Sequence, residues 1–456
     1  MSWPIVLGTL SFTLMQFCDQ WMVAYLGTEA LAAAGSAGLW SYTLSTMLLG
    51  VVGCVSTFAA QSLGRGQKEN CARYAWQGIY LSVFAGLIAL VLWPLSGALF
   101  RAMGHSETVT EFELSYFRIR LLGYIPMAWG TALASFFQSV NHPRIPMYAA
   151  LAGNASNLAL NYLLIFGKFG FPRWGIAGAA IATVISQFMQ TGIQQAVFMS
   201  RRYHAEYGTR SAFAYDAARL RELFRVGWPN GMNMFLDIFN WGIFTSFVVG
   251  YFGDRSLAAH NVAISFMHVC FMPAVAVNQG IAVIVGQWLG RGDIPRAKAR
   301  TYTAIRLTMG YMFVMGVIFA VFGRQLIGAI FSSDPAVIRL GHQLLILAAI
   351  FQAFDAVNII CLGSLRGAGD TRWVMWAMFI GAYLFFLPLS LVLAFVLKGA
   401  TVGAWIGATT YIILLSGVLF FRFYGERWRH IDIFSMSAPV AEVLKESLAA
   451  ESPTRE

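Results

Sequence analysis

Apolar residues run in long blocks through most of this chain, broken by short polar stretches. Twelve blocks can be drawn, at residues 4–26, 36–60, 74–100, 114–140, 146–166, 175–200, 228–251, 258–288, 303–322, 340–365, 373–397 and 402–421. Each is near or above the ~20 residues that an α-helix needs to cross the hydrocarbon core of a bilayer. None alternates strictly between apolar and polar. Backbone groups in lipid must find partners inside the segment or in a closed barrel, so uninterrupted blocks of this length mean helices. The pattern predicts an all-α integral membrane protein with twelve transmembrane helices.

The polar stretches show that these helices come in two sets. "LGTEALAAAG" at residues 26–35 matches "FGDRSLAAHN" at 252–261, and "QSLGRG" at 61–66 matches "QWLGRG" at 287–292, both 226 positions apart. "SWP" at 2–4 and "GWP" at 227–229 are 225 apart. Constant spacing over three matches argues for a duplicated six-helix unit: an N-lobe at residues 1–200, a linker at 201–225, a C-lobe at 226–425 and a tail at 426–456. Six is even, so both copies insert the same way up. Such parallel repeats are a known secondary-transporter layout, with cargo between the halves. The linker sequence "YDAARLRELFRVG" sets Leu220, Leu223 and Phe224 on one helical face beside Arg219 and Arg221, as an anchor lying along the lipid surface would. The tail from His430 is polar and expected to be loosely ordered, with a short helix after Pro439. Pro4 and Pro229 open equivalent helices and read either as first-turn prolines or as bends near a gate.

Composition and charge narrow the class. The chain is 58% hydrophobic and only 11% charged, against about 25% in soluble domains. Its net charge of +10 is a topology signal. With the N-terminus cytoplasmic, and with Arg118, Arg120 and Arg306 near block starts counted with the connections before them, 22 of the 31 Lys and Arg residues go to the even-numbered connections and the tail, and 9 to the odd-numbered ones. There is no basic patch with interleaved aromatics and no nucleic-acid motif, so no nucleic-acid partner is expected. The five cysteines form no C-x-x-C pair, and the apolar start is too long for a signal peptide, so the first helix is a retained span. No phosphate-binding loop, H-E-x-x-H or G-x-S-x-G is present, which excludes the common enzyme signatures and ATP as the driving force.

Three acids lie well inside the blocks: Asp19, Asp237 and Asp355. An acid in mid-membrane costs about 2.5–3.5 kcal/mol on insertion scales and marks an ion or substrate path by default; the bland alternative is a hydrogen-bonded helix clamp. No Lys or Arg is expected at their depth, so each must hold a proton or a travelling cation. Asn157 and Asn161 stand one turn apart, either to complete a shell of oxygens or to bond neighbouring helices. The repeat does not superpose the acids, since Thr245 stands 226 residues after Asp19. His260 fits a packing role, with a cavity wall as the alternative, and a subset of the Phe, Trp and Met residues suits flat cationic cargo.

On "FCDQWMVAYLG" (17–27), "LAAHNVA" (257–263), "GQWLGRGD" (286–293) and "FQAFDAVNIICLGSLRGAGDT" (351–371), the chain resembles the multidrug and toxic compound extrusion (MATE) transporters, NorM-like branch, over nearly all of residues 1–425. The resemblance implies two six-helix lobes in a V, with alternating access and export of organic cations in exchange for Na⁺ or H⁺. It implies an N-lobe cation site at Asp19, Asn157 and Asn161, and a C-lobe site at Asp237 and Asp355. Phe351 and His260 are candidates for the substrate cavity. A monomer in the inner membrane, contacting lipid, is expected, with both termini cytoplasmic on the Lys and Arg count, no cofactor, and no structural metal beyond transient Na⁺ at one of the acid sites. Three positions depart from the pattern: Asp237 where Glu is usual, Phe351 where related proteins often carry Tyr, and Gln20 after Asp19 where Thr is commoner. The rival on the same architecture is a lipid-linked saccharide flippase, which would need a cationic cavity.

Overall fold

The computed structural model describes residues 2–331 and 334–434 and is helical throughout. The first six membrane helices are α1 (Ser2–Ala24), α2 (Thr28–Gly64), α3 (Lys68–Ala89 with Leu92–Arg101), α4 (Glu107–Leu122 with Tyr124–Ser139), α5 (Arg144–Phe166) and α6 (Gly175–Phe198). The second six are α7 (Ala217–Phe252), α8 (Asp254–Gly290), α9 (Ile294–Ile330), α10 (Pro335–Ala368), α11 (Thr371–Val396) and α12 (Ala400–Tyr424). Among the described residues nine of these are long and apolar enough to cross a membrane, and α3 is a tenth when its two pieces, bent by 48°, count as one span. The other two are α1 and α4. The first half of α4 carries Glu107, Glu111, Glu113, Arg118 and Arg120, which dilute its hydropathy.

The duplication is visible in backbone conformation. Gly27 (φ 114°) and Gly253 (φ 87°) turn the chain between the first two helices of each lobe, and Gly66 (φ 78°) and Gly292 (φ 75°) turn it after the second. These left-handed values favour glycine. The two "LGRG" motifs meet across the lobe interface. A Cβ on Gly64 would lie 2.3 Å from the Gln287 carbonyl oxygen, and one on Gly290 would lie 2.2 Å from that of Gln61. Close approach of this kind is what small residues permit between membrane helices.

Matched glutamines fasten the same seam. Gln61 Nε2 donates to the Gly367 carbonyl at 3.0 Å, and Gln287 Nε2 donates to the Ser139 carbonyl at 2.7 Å and to Asn141 Oδ1 at 3.1 Å. Each glutamine therefore reaches into the opposite lobe. Thr57 adds a bond to the Arg366 carbonyl at 3.0 Å, and Asn230 one to the Gly50 carbonyl at 2.7 Å. These contacts draw the lobes together on the face that carries the N-terminus. Antiparallel α2 and α7 touch at Gly50 and Gly231. About two turns farther from that face, Tyr42 on α2 and Asp237 on α7 are both exposed, on opposing walls of a cleft.

Three expectations change here. The linker does not lie along a lipid surface: Leu220 and Leu223 pack into the N-lobe core, and residues 217 onward belong to α7. It is clasped to α3 by Trp76 on the Thr209 carbonyl (2.8 Å), Gln77 on the Ala214 carbonyl (3.0 Å) and Tyr74 on Glu222 (2.7 Å). Pro229 consequently sits inside a helix instead of opening one, and its missing N–H breaks the ladder beside the Gly50–Gly231 contact. The start of the tail is packed: Trp428 is buried in the C-lobe, while Ile433 and Phe434 are buried against the N-lobe, with Phe434 edge-on to Phe58 at 5.7 Å. The helix expected after Pro439 falls outside the described residues.

Candidate functional site

Two polar centres lie within the helices, one per lobe. In the N-lobe, α1 and α5 are joined by side-chain hydrogen bonds two turns apart, from Asn154 to Ser11 (2.8 Å) and from Asn161 to Asp19 (2.5 Å). The Asn161 amide also donates to Asn157 Oδ1 at 3.1 Å, and Asn157 donates to Thr183 on α6 at 3.3 Å. Thr183 in turn donates to the Ala179 carbonyl at 3.0 Å. The structure thus brings Asp19, Asn157 and Asn161 together, and adds Thr183. Both amides are fully buried, and Asn161 Oδ1 accepts no hydrogen bond.

The expectation that no basic side chain lies at the depth of the acids fails in this lobe. Arg120, on α4, is within electrostatic reach of Asp19 and of Tyr116, although no ion pair joins it to the carboxylate. Tyr116 packs with Met22, Val23 and Ile165, which are the turns following Asp19 and Asn161. One turn along α4, that packing carries Arg120 to the level of the site. The helix runs unbroken from Glu107 to Leu122, so this arginine belongs to the span and not to the preceding connection.

The C-lobe centre is different. Asp355, on α10, is buried and accepts from Asn358 Nδ2 at 3.1 Å. Asp237, on α7, is exposed to the cleft, and the two carboxylates are within electrostatic reach of one another. Among the described residues no basic side chain acts on either. Tyr411 on α12 feels both acids, and Tyr42 feels Asp237 from across the cleft. Asn233 and Asn240, four before and three after Asp237, share its helical face. The amide oxygens of Asn233, Asn240 and Asn358 are buried and accept no hydrogen bond. Two carboxylates and three acceptor oxygens without donors make a centre rich in hard oxygen and poor in positive charge. Such oxygens can replace the hydration shell of a small cation.

The two cavity candidates are placed elsewhere. Phe351 is fully buried against Trp405, with ring centroids 6.4 Å apart. His260 is also buried: its Nδ1 accepts from Trp405 Nε1 at 3.1 Å, so its Nε2–H donates to Thr245 at 2.8 Å, and Thr245 donates to the Trp241 carbonyl at 2.8 Å. With both ring nitrogens occupied by protein, this histidine holds the C-lobe core together. Neither residue faces the cleft, since both side chains are buried within the C-lobe.

Asn358, Thr183 and Arg120 escaped the sequence reading. Asn358 stands three residues after Asp355 and Thr183 is one hydroxyl among many, whereas Arg120 is signalled by "YFRIRLL", a basic residue flanked on both sides by apolar ones.

Comparison with known proteins agrees with this architecture. The MatE family model matches residues 4–163 and 232–392, one stretch in each lobe. The chain is similar to the probable multidrug resistance protein NorM of Mesorhizobium japonicum, 30% identical over 92% of each chain. It is also similar to that of Thermotoga maritima, 27% identical over 91% of this chain and 89% of the relative. The fold matches the outward-facing conformation of a multidrug resistance MATE family transporter with a TM-score of 0.85, covering 96% of both chains at 19% identity. With the family model covering most of both lobes and NorM relatives aligned along nearly the full length, the chain belongs to the MatE family of membrane transporters, in its NorM-like branch.

Proposed function

We propose that this protein is a secondary multidrug exporter that moves small organic cations across the cell (inner) membrane in exchange for Na⁺ or H⁺. The names of its NorM relatives support multidrug efflux. The excess of Lys and Arg on one set of connections supports cytoplasmic termini. In that orientation the glutamine-fastened seam closes the cytoplasmic side and the cleft faces out.

The carrying observation is the C-lobe acid pair, Asp237 and Asp355, with its donor-poor oxygens and no basic neighbour. A cation arriving from outside neutralises this pair and biases the lobes toward one state, while cargo binding in the cleft biases them toward the other. One inward charge gains about 2.3 kcal/mol per 100 mV, roughly forty-fold in cargo ratio at ~1.4 kcal/mol per decade. The acidic cleft wall suits cationic cargo and offers no match to an anionic saccharide carrier. No cofactor is required, and a monomer in contact with lipid is sufficient. The test is ethidium efflux from vesicles with Na⁺ and pH gradients imposed separately. One of the two gradients should drive efflux, and indifference to both would refute the proposal.

A further inference from the structure

We infer that residues 425–434 form a strap that holds the two lobes together on the cytoplasmic face, and that Phe434 must leave its socket in the N-lobe for the lobes to part there. The inference rests on the exporter reading above, in which the seam on that face opens in each cycle. The root of the strap belongs to the C-lobe. Glu426 turns the chain out of α12 with a left-handed φ of 56°, and is held by Lys298 on α9 at 2.5 Å and by Arg429 at 3.0 Å. Trp428 is fully buried and stacked on Phe423, with ring centroids 5.1 Å apart, and its Nε1 donates to the Phe423 carbonyl at 2.7 Å. The tip belongs to the N-lobe. Phe434 is edge-on to Phe58 of α2 at 5.7 Å and to Tyr74 of α3 at 5.8 Å, and the Arg65 guanidinium lies 4.3 Å from its ring centroid. Asp432 Oδ1 accepts from the Phe434 backbone N–H at 3.0 Å, a local turn that shapes the chain before the ring. Between root and tip, Ile433 sits on Gly369 at the end of α10, where a Cβ would lie 2.4 Å from its Cγ2. Thr57, Phe58 and Gln61 follow one another on α2, so the socket shares a turn with the hydrogen bonds to the Arg366 and Gly367 carbonyls that fasten the seam.

The duplication shows that this socket takes a ring from elsewhere. In the 226-residue register Arg65 corresponds to Arg291, and Ser62 to Trp288. Arg291 lies over Trp288 of its own lobe, 4.7 Å from the ring centroid. The N-lobe has a small residue in that place, and the strap supplies the aromatic face for its arginine. Six residues of chain from Trp428 to Phe434 span at most about 22 Å, so the lobes cannot part far with both ends seated. The tip is the end that yields. Trp428 is fixed by its indole hydrogen bond and by the ion pairs of Glu426, whereas Phe434 is held by ring contacts and a half-exposed arginine.

The experiment bridges the strap to its socket. In the full-length chain, with its five native cysteines replaced by serine, Phe58→Cys and Phe434→Cys are joined by a short bis-methanethiosulfonate and released by dithiothreitol. Ethidium efflux from vesicles should fall at least tenfold in the bridged protein and recover on release. Undiminished efflux in the bridged protein would overturn the inference. A second measurement reads the seam without cargo: the rate of maleimide labelling of Cys54, buried where α2 meets α7, in a background that keeps this cysteine alone. Phe434→Ala should raise that rate at least threefold. So should four glycines inserted after His430, which slacken the strap and leave both ends their seats. An insertion without effect would make Phe434 an ordinary part of the N-lobe core and overturn the inference. Labelling decides the matter even if ethidium is not exported at all, so failure of the strap and failure of the exporter reading are told apart.

Discussion

The two lobes are copies in backbone and opposites in chemistry. In the 226-residue register α1 carries Ser11 and Asp19, and α7 carries Asp237 and Thr245: the acid and the hydroxyl have changed places. In the N-lobe Ser11 pairs with Asn154, and Asp19 is held by Asn161 with an arginine nearby. In the C-lobe Thr245 is locked into the His260–Trp405 core, while Asp237 opens onto the cleft. The glycines at the turns and at the seam have not diverged this way. Backbone conformation and close approach tie those positions to glycine, whereas a cavity-facing side chain can change without cost to the scaffold. Duplication here has preserved the turns and the seam and freed the sites to specialise.

The sharpest way to break the comparison is to remove one acid from each lobe. Asp355→Asn or Asp237→Asn should reduce gradient-driven ethidium efflux to the level of empty vesicles while the protein remains folded and in the membrane. Asp19→Asn should retain a measurable gradient-driven component. Equal loss from both lobes would erase the distinction between them.

Next in size are the matched glycines. Gly64→Leu and Gly290→Leu each place a side chain where the opposite backbone lies within 2.3 Å of a Cβ. Both should prevent closure of the seam, cut transport at least tenfold and expose Cys54, which is fully buried at this interface. Maleimide labelling of Cys54 measures that exposure, and the two variants should behave alike.

Smaller effects are expected at the hydrogen bonds. Asp19→Ala removes the charged acceptor of the Asn161 amide, at about 1.5–3 kcal/mol, read as a lower melting temperature. Gln61→Ala and Gln287→Ala each leave a carbonyl of the opposite lobe without its donor, at about 1–3 kcal/mol against the closed state. Gln287→Ala should give the larger shift of the two, because it also takes the donor from Asn141 Oδ1.

Much of this organisation is legible in the sequence. Apolar blocks of helix length leave little choice of fold, and the spacing of "LGRG" gives both the duplication and the residues of the seam. The acids stand out because charge is costly in lipid. What the sequence hid depends on helix phase and extent. Arg120 stands only six residues inside the 114–140 block and reads as a charge at the membrane edge until α4 is seen to start at Glu107, and Pro229 reads as a first-turn residue until α7 is seen to start at Ala217. Phe351 and His260 are apolar and amphipathic residues in apolar spans, so nothing in their neighbourhood distinguishes core from cavity wall. Phe434 was signalled by "IDIF", three apolar residues in a polar tail, whose burial depends on a partner surface in the other lobe.

The account rests on the C-lobe carboxylates carrying the coupling ion. The most direct measurement is cation release from reconstituted vesicles when ethidium is added, following ²²Na⁺ and internal pH in parallel for the wild type and for Asp355→Asn. Ethidium should trigger counterflow of one cation in the wild type and none in the variant. Undiminished counterflow in Asp355→Asn would contradict it.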